Sequence, residues 1–333
     1  MNHRFTQDIQ KSKKVLVITG PTATGKTALG VALAKKLGGE VVSADSMQVY
    51  RRMDIGTAKV TAEEMQGVPH HMVDVADPSE SFSVARYVEM ASDCCEEIFA
   101  RNRLPILVGG TGLYIDSLLS GRSFAERSDR ENDIRNELNR EYDERGGTAM
   151  WSELNSVDPE RAERLSPNDR KRIVRALEIY RLTGKTITQH DAETQSLPPR
   201  YDSLMVALDY VQRDDLYARI NRRVDQMLEN GLVPEVQALL DLGLNDDHTA
   251  MQAIGYKEIV QAIRGSITLK EAVEQIKQES RRYAKRQLTW LRRNPDVCWL
   301  RWQSKPDLAR AVDHCLALWQ SPDDDGIPKE VEI

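Results

Sequence analysis

The sequence predicts an α/β protein, an open and mostly parallel sheet with helices on both faces, interrupted by an all-helical insertion. Short apolar runs rich in β-branched residues, such as Val15-Leu16-Val17-Ile18 and Pro105-Ile106-Leu107-Val108, read as strands buried on both faces. Helical patterns separate most of these runs, which is how crossover connections join parallel strands. Between 123 and 199 no strand-like run occurs, and Arg, Glu, Asn and Leu recur at helical spacing.

The first strand, 15–18, ends at Gly20; a helix over 28–37 carries Lys35 and Lys36 in its last turn and stops at Gly38-Gly39. Further strands are expected at 41–44, 71–74, 105–108, 204–208 and 297–300, and long helices over 214–240 and 269–293. The expected organisation is a polar tail over 1–13, a core formed by 14–122 and 200–318, and the insertion over 123–199, closed by Pro198-Pro199. The acidic, Pro- and Gly-containing segment 319–333 reads as a disordered tail.

A length of 333 residues allows about two domains. Forty-six Lys and Arg against 52 Asp and Glu leave a net charge of −6, which excludes nucleic-acid binding driven by global charge and requires a local basic face instead. No apolar run reaches the length of a membrane span, and the polar start MNHRFTQDIQKSKK lacks a secretory pattern, so a cytoplasmic protein without membrane association is expected. Cys94, Cys95, Cys298 and Cys315 show no paired spacing and read as reduced thiols; His70-His71 lacks metal-spaced partners and reads as structural.

Between the first strand and the first helix, Gly20-Pro21-Thr22-Ala23-Thr24-Gly25-Lys26-Thr27 fits G-x-x-x-x-G-K-[ST], so the expected core is P-loop NTPase-like. Backbone N–H groups of such a loop surround a phosphate or pyrophosphate, Lys26 supplies a point charge, and the Thr27 hydroxyl is the expected Mg²⁺ ligand. Nucleotide-hydrolysing relatives of this fold usually end another apolar strand in an acid that helps to hold Mg²⁺. Here 105–108 leads instead into Gly109-Gly110-Thr111-Gly112, where glycines would admit a ligand close to the backbone, and the acid appears as Asp45 in Ser43-Ala44-Asp45-Ser46-Met47-Gln48. Ligands of doubly wound sheets lie beyond the carboxyl ends of the strands, so Asp45, Thr111 and the P-loop should share one crevice. On position alone, Asp45 is either a functional carboxylate or a turn-capping residue.

The blocks GPTATGKT, SADSMQVYRRMDIGTAK, GVPHHMVDV, ILVGGTGLYIDSLL, LSPNDRKRIVRALEIYRLTGK, MQAIGYKEI and KRQLTWLRR occur in an order that resembles the bacterial tRNA dimethylallyltransferase (tRNA isopentenyltransferase) family over about 15–293. The resemblance implies that the P-loop binds the diphosphate of dimethylallyl diphosphate without hydrolysing ATP. The allyl group then passes to N6 of the adenosine beside the anticodon (A37) of tRNAs reading codons that start with U. It makes Asp45 the proton acceptor from the adenine amine, puts Thr111 at the reacting centre and places a diphosphate-binding arginine in the R-I-x-x-R pattern of Arg219 and Arg223, where Arg223 is favoured. Mg²⁺ is the expected cofactor, and the partners are a tRNA anticodon stem-loop and dimethylallyl diphosphate, acting on a monomer.

The resemblance also implies tRNA contact by Asp45, Ser46, Met47, Gln48 and Thr111, by Arg135, Lys171, Arg172, Ile173, Val174 and Arg175 of the insertion, and by Gln252, Ala253, Ile254, Gly255, Tyr256 and Lys257. It adds Lys285, Arg286, Gln287, Leu288, Thr289, Trp290, Leu291 and Arg292 in the 281–293 segment, which holds six basic residues and no acid. The family's insertion closes over the anticodon arm while the target base is flipped into a channel. A free-adenylate (cytokinin-type) prenyltransferase and a P-loop small-molecule kinase remain the alternatives; a GTPase-like module is disfavoured because no base-specifying N/T-K-x-D segment follows the strands.

Overall fold

The computed structural model describes residues 13–121, 129–195, 198–321 and 326–333. Its centre is a seven-stranded parallel sheet in the order β3-β2-β4-β1-β5-β6-β7. β1 (Lys14–Thr19) lies in the middle, and Val15, Leu16, Val17 and Ile18 are fully buried, which is why that run is continuous rather than alternating. β4 (Leu104–Val108) pairs with β1 on one side and β2 (Gly39–Ser43) on the other, and β5 (Asp202–Tyr210) flanks β1 on its second side. The loops after β2, β4 and β1, which carry Asp45, Thr111 and the P-loop, therefore stand side by side at the carboxyl edge.

α1 (Lys26–Leu37) follows the P-loop and ends at Gly38, whose left-handed φ of 66° lets its N–H reach Ala34 O. α2 (Ala62–Met65), α3 (Val84–Ala100) and α4 (Gly112–Leu119) complete the first half of the core. The second half holds α9 (Arg213–Glu229), α10 (Leu232–Asp241), a 3₁₀ turn (Thr249–Gln252), α11 (Tyr256–Ile263), α12 (Leu269–Leu291), β6 (Cys298–Trp302), α13 (Leu308–Gln320) and β7 (Glu330–Glu332). One compact unit takes the chain through Leu119 together with Tyr201–Ile333, and Ser120–Arg200 forms the other.

The second unit is helical throughout its described residues: α5 (Asp129–Val157, interrupted at Gly146), α6 (Pro159–Glu163), α7 (Arg170–Thr183) and α8 (Ile187–Gln195). Leu138, Met150, Leu154, Ile173, Val174 and Leu177 form a core of its own.

Three expectations need correction. The strand expected at 71–74 is only β3 (His70–His71), because Met72 and Asp74 take φ of 62° and 57°, outside the extended region. The single helix expected over 214–240 is two helices, broken at Gly231 with φ 101°. The segment expected to be a disordered tail begins inside α13 and ends in β7, where Leu300 pairs with Val331, Ile333 N–H donates to Arg301 O at 2.8 Å and the Ile333 side chain is buried. Its acidic composition conceals Val331 and Ile333, spaced by two, which is enough to seat a short edge strand. Residues 322–325 of that segment, and 1–12 of the expected N-terminal tail, lie outside the described residues.

Candidate active site

The P-loop is tied down through its carbonyl groups. Pro21 O accepts from the Thr24 hydroxyl at 2.8 Å and from Lys26 Nζ at 2.6 Å, Ala23 O from Arg219 Nε at 3.1 Å, and Thr24 O from the buried Trp302 indole at 2.9 Å. Gly20 has φ 135°, and a Cβ there would stand 2.4 Å from Leu208 O, so only glycine lets the loop leave β1 against β5. Ala23, with φ 66°, and Gly25, with φ 90°, are also left-handed; Gly25 opens α1, and Lys26 and Thr27 form its first turn. The helix N-terminus therefore directs unpaired N–H groups toward the crevice, where an anion is favoured.

Lys26, Thr27, Arg219 and Arg223 line a crevice of about 920 Å³ at the carboxyl edge, together with Asp45 and Gly110. Burial, reinforced by the Arg223 guanidinium, lowers the Lys26 pKa to about 7, and Asp45 only partly opposes this. Arg223 is likewise pushed down by burial, and its buried Nε has no hydrogen-bond partner among the described residues. Two desolvated cations with one carboxylate nearby and an unsatisfied N–H make a site for a multiply charged anion. Arg219 differs from Arg223: it holds the P-loop carbonyl of Ala23 and lies over the Tyr210 ring at 5.8 Å.

Asp45 caps a turn, one of the two roles left open by its sequence position, and also lines the crevice. Its Oδ1 accepts from Met47 N–H at 2.9 Å and Gln48 N–H at 3.3 Å, an aspartate-capped turn, while Oδ2 has no hydrogen-bond donor among the described residues. Thr111 stands beside it. The Thr111 hydroxyl accepts from Ser46 N–H at 3.0 Å and donates to Ser46 Oγ at 3.3 Å, Thr111 N–H donates to Ala44 O at 3.1 Å, and Tyr283 also lines the crevice. Burial, then the nearby Asp45, raise Tyr283 to about 12.

The glycines around Thr111 make room for the protein's own atoms, and Gly109 and Gly110 line the crevice as well. A Cβ on Gly109 would meet Ala44 O at 2.2 Å, one on Gly110 would meet Gln287 Nε2 at 2.2 Å, and one on Gly112 would meet the Trp290 ring at 2.4 Å. Tyr283, Gln287 and Trp290, spaced i, i+4 and i+7, thus form the face of α12 that grips this turn. Trp290 Nε1 also donates to Asp116 Oδ2 at 2.7 Å.

The crevice wall formed by 54–61 is held from behind by Glu235. Its carboxylate accepts from the N–H groups of Asp54 and Ile55, both at 2.8 Å, Gly56 at 3.0 Å, and the Tyr256 hydroxyl at 2.6 Å. Lys59, nearly buried, bridges Asp54 and Asp74 at 2.6 Å each, and the Gln48 amide donates to Thr57 O and Ala58 O. His71 pairs with buried Glu40 at 2.7 Å and His70 with Val68 O at 2.9 Å.

Several residues expected to touch RNA have side chains turned inward. Ile173 and Val174 belong to the insertion core, Leu288 and Leu291 to the inner side of α12, and Tyr256 is fully buried against Gly56 and Glu235. Gly255 is buried with φ 100° at the start of α11, and Ala253 is buried at the crevice edge. Gln252 and Ile254 also line the crevice, while Lys257 lies 3.5 Å from Glu258. In the insertion, Arg135 and Arg175 both pair with buried Glu178 at 2.7 and 2.9 Å, and Arg170 pairs with Asp143, whereas Lys171 and Arg172 are exposed. On α12, Lys285, Arg286 and Thr289 are exposed, as is Arg292 just after its end.

Sequence reading missed Tyr283, Glu235 and the internal role of Gln287. The i, i+4, i+7 spacing in Tyr283-x₃-Gln287-x₂-Trp290, and a lone acid in the apolar run LVPEVQALL, were the available signals.

The family model described as IPP transferase matches residues 48–294, and one described as isopentenyl transferase matches 13–77. A protein named tRNA dimethylallyltransferase from Halalkalibacterium halodurans is 50% identical over 288 residues, covering 86% of this chain and 90% of that one. One of the same name from Caldanaerobacter subterraneus is 49% identical, covering 86% and 91%. Among solved structures, the tRNA isopentenylpyrophosphate transferase from Bacillus halodurans matches with TM-score 0.69 at 45% identity, covering 92% of this chain and 97% of that one. A eukaryotic dimethylallyltransferase described as acting on tRNA matches with TM-score 0.77 at 31% identity, covering 92% and 79%. With a family model spanning most of its length and relatives near half identical, this chain belongs to the IPP transferase family.

Proposed function

We propose that this protein is a tRNA dimethylallyltransferase, transferring a dimethylallyl group from dimethylallyl diphosphate to N6 of the adenosine 3′ to the anticodon (A37) in tRNAs that read codons starting with U. The observation that carries the reading is the pairing of two desolvated cations, Lys26 and Arg223, with an Asp45 carboxylate oxygen that has no donor among the described residues. The diphosphate occupies the P-loop end, held by Lys26, Arg223 and the first N–H groups of α1. The adenine amine enters between Asp45 and Thr111.

An exocyclic adenine amine is a weak nucleophile because its lone pair is delocalised into the ring. As the N6–carbon bond forms and the allylic carbon–oxygen bond breaks, Asp45 Oδ2 accepts the N6 proton while diphosphate leaves with the bonding electrons. The charge developing on the leaving oxygen is met by Lys26, Arg223 and the helix N-terminus. Thr111, its hydroxyl paired with Ser46, would hydrogen-bond the amine. A bound Mg²⁺ would neutralise diphosphate oxygens. Thr27 on the crevice lining would hold it, and a single protein oxygen accords with the way Mg²⁺ is held largely by substrate phosphates and water. The exposed Lys171 and Arg172 of the insertion, Lys285 of α12 and Arg292 just after it supply the phosphate-binding charge that net composition lacks.

A small-molecule kinase would also use the P-loop, and the direct comparison is between donors. Incubation with dimethylallyl diphosphate and an anticodon stem-loop is expected to yield N6-isopentenyladenosine and diphosphate. ATP turnover without prenylation would replace this reading with the kinase.

A further inference from the structure

We propose that Gln287 is a positioning residue for the transfer step, a side-chain brace fixing the distance between the diphosphate cradle and the Thr111 turn. Gln287 is buried on α12 and touches both loops at once: its Oε1 accepts from Thr22 N–H in the P-loop at 3.1 Å, and its Nε2 donates to Gly110 O in the β4–α4 turn at 2.9 Å. The two loops carry opposite ends of the reaction. The leaving group is bound by the P-loop, and the acceptor is bound beside Thr111, next to Gly110 in sequence. Gly110 itself has no room for a side chain because Gln287 Nε2 occupies that place.

The bridge also sorts the N–H groups of the P-loop. Thr22 N–H is engaged by Gln287 and so is not offered to an anion, whereas those at the start of α1 remain directed at the crevice. An amide fits this position chemically: the side chain must accept on one atom and donate on the other, which a hydrocarbon cannot do and a carboxylate does only when protonated. In-line transfer depends on the separation of nucleophile and leaving group, and a misplacement of about 1 Å costs up to about 10²-fold in rate. Gln287 therefore acts on turnover through the loops, without contacting RNA.

This inference rests on the proposed transfer reaction, and two variants test it. Gln287→Met keeps the volume and removes both hydrogen bonds. The expected result is a fall in kcat of about 10- to 100-fold at saturating substrates, with anticodon stem-loop Kd within about twofold of wild type. Gln287→Glu retains the acceptor for Thr22 and regains a donor for Gly110 only when protonated, so its kcat relative to wild type should rise as pH falls from about 8 to about 6. That rise is the deciding result if Gln287→Met does not fold. A folded Gln287→Met enzyme with wild-type kcat, a stem-loop Kd raised at unchanged kcat, or a Gln287→Glu ratio independent of pH would each overturn the inference. Failure of the wild-type protein to prenylate RNA would instead remove the functional reading, so the two failures are distinguishable.

Discussion

Arg223 stands near enough to Lys26 to add to the effect of burial in bringing the lysine to a pKa of about 7. Near neutral pH the P-loop lysine is therefore divided between its charged and neutral forms until an anion arrives. A diphosphate favours the ammonium, so its binding at about pH 8 should take up a proton, and its affinity should weaken as pH rises above about 7. Calorimetry with inorganic pyrophosphate in buffers of differing ionisation enthalpy measures the uptake, and Lys26→Met should reduce it to the contribution of pyrophosphate itself. The sign for stability follows from the same depressed value. Between about 7 and the ordinary lysine value the unfolded chain holds the proton and the folded chain does not, so Lys26 contributes a gain in stability of the free protein as pH rises through that window. Equal proton uptake by wild type and Lys26→Met would contradict this.

Asp45→Asn separates the base from the cap. The amide oxygen of asparagine still accepts from Met47 and Gln48 N–H, so the thermal midpoint should hardly move, while loss of the proton acceptor should reduce single-turnover transfer by roughly 10²–10⁴. Wild-type turnover in this variant would leave Asp45 with the turn alone.

Glu235 should matter for the loop before it matters for chemistry. Truncation by Glu235→Ala leaves three backbone N–H groups and the Tyr256 hydroxyl without their acceptor, which should cost about 2–4 kcal/mol in chemical denaturation. Glu235→Gln preserves acceptors and should cost less. Hydrogen exchange at Asp54, Ile55 and Gly56 reads the same loss locally.

The insertion offers fewer unpaired charges than its composition suggests, because Arg135, Arg170 and Arg175 are committed to acidic partners. Lys171→Gln and Arg172→Gln should therefore each flatten the dependence of log K on log salt for an anticodon stem-loop by roughly 0.7–0.9, if each contacts one phosphate. Pyrophosphate affinity should be unchanged. An unaltered slope in the double variant would remove this face from the RNA contact.

The P-loop, Asp45 and Thr111 were legible because each is local: a strand, a few loop residues and a helix start, set beside one another by the parallel sheet. What tied them together was not local. Basic residues in 281–293 drew attention to the outer side of α12, while Tyr283, Gln287 and Trp290 face inward to a turn more than 160 residues earlier in the chain, as the spacing of Gln287 and Gly110 shows. Glu235 likewise satisfies backbone groups some 180 residues away, a pairing with no trace in sequence spacing. β7 was hidden for a related reason. Its order comes from pairing with β6, and three residues carry too little pattern to announce a strand.

The most direct measurement is nucleoside mass spectrometry after incubating the protein with dimethylallyl diphosphate, Mg²⁺ and either an anticodon stem-loop bearing adenosine 3′ to the anticodon or free AMP. The expected result is a dimethylallyl mass increment on that adenosine of the stem-loop, with AMP a far poorer acceptor, and with the increment abolished by Lys26→Ala. Prenylation of AMP as efficient as that of the stem-loop would contradict a tRNA substrate and put a free-adenylate prenyltransferase in its place.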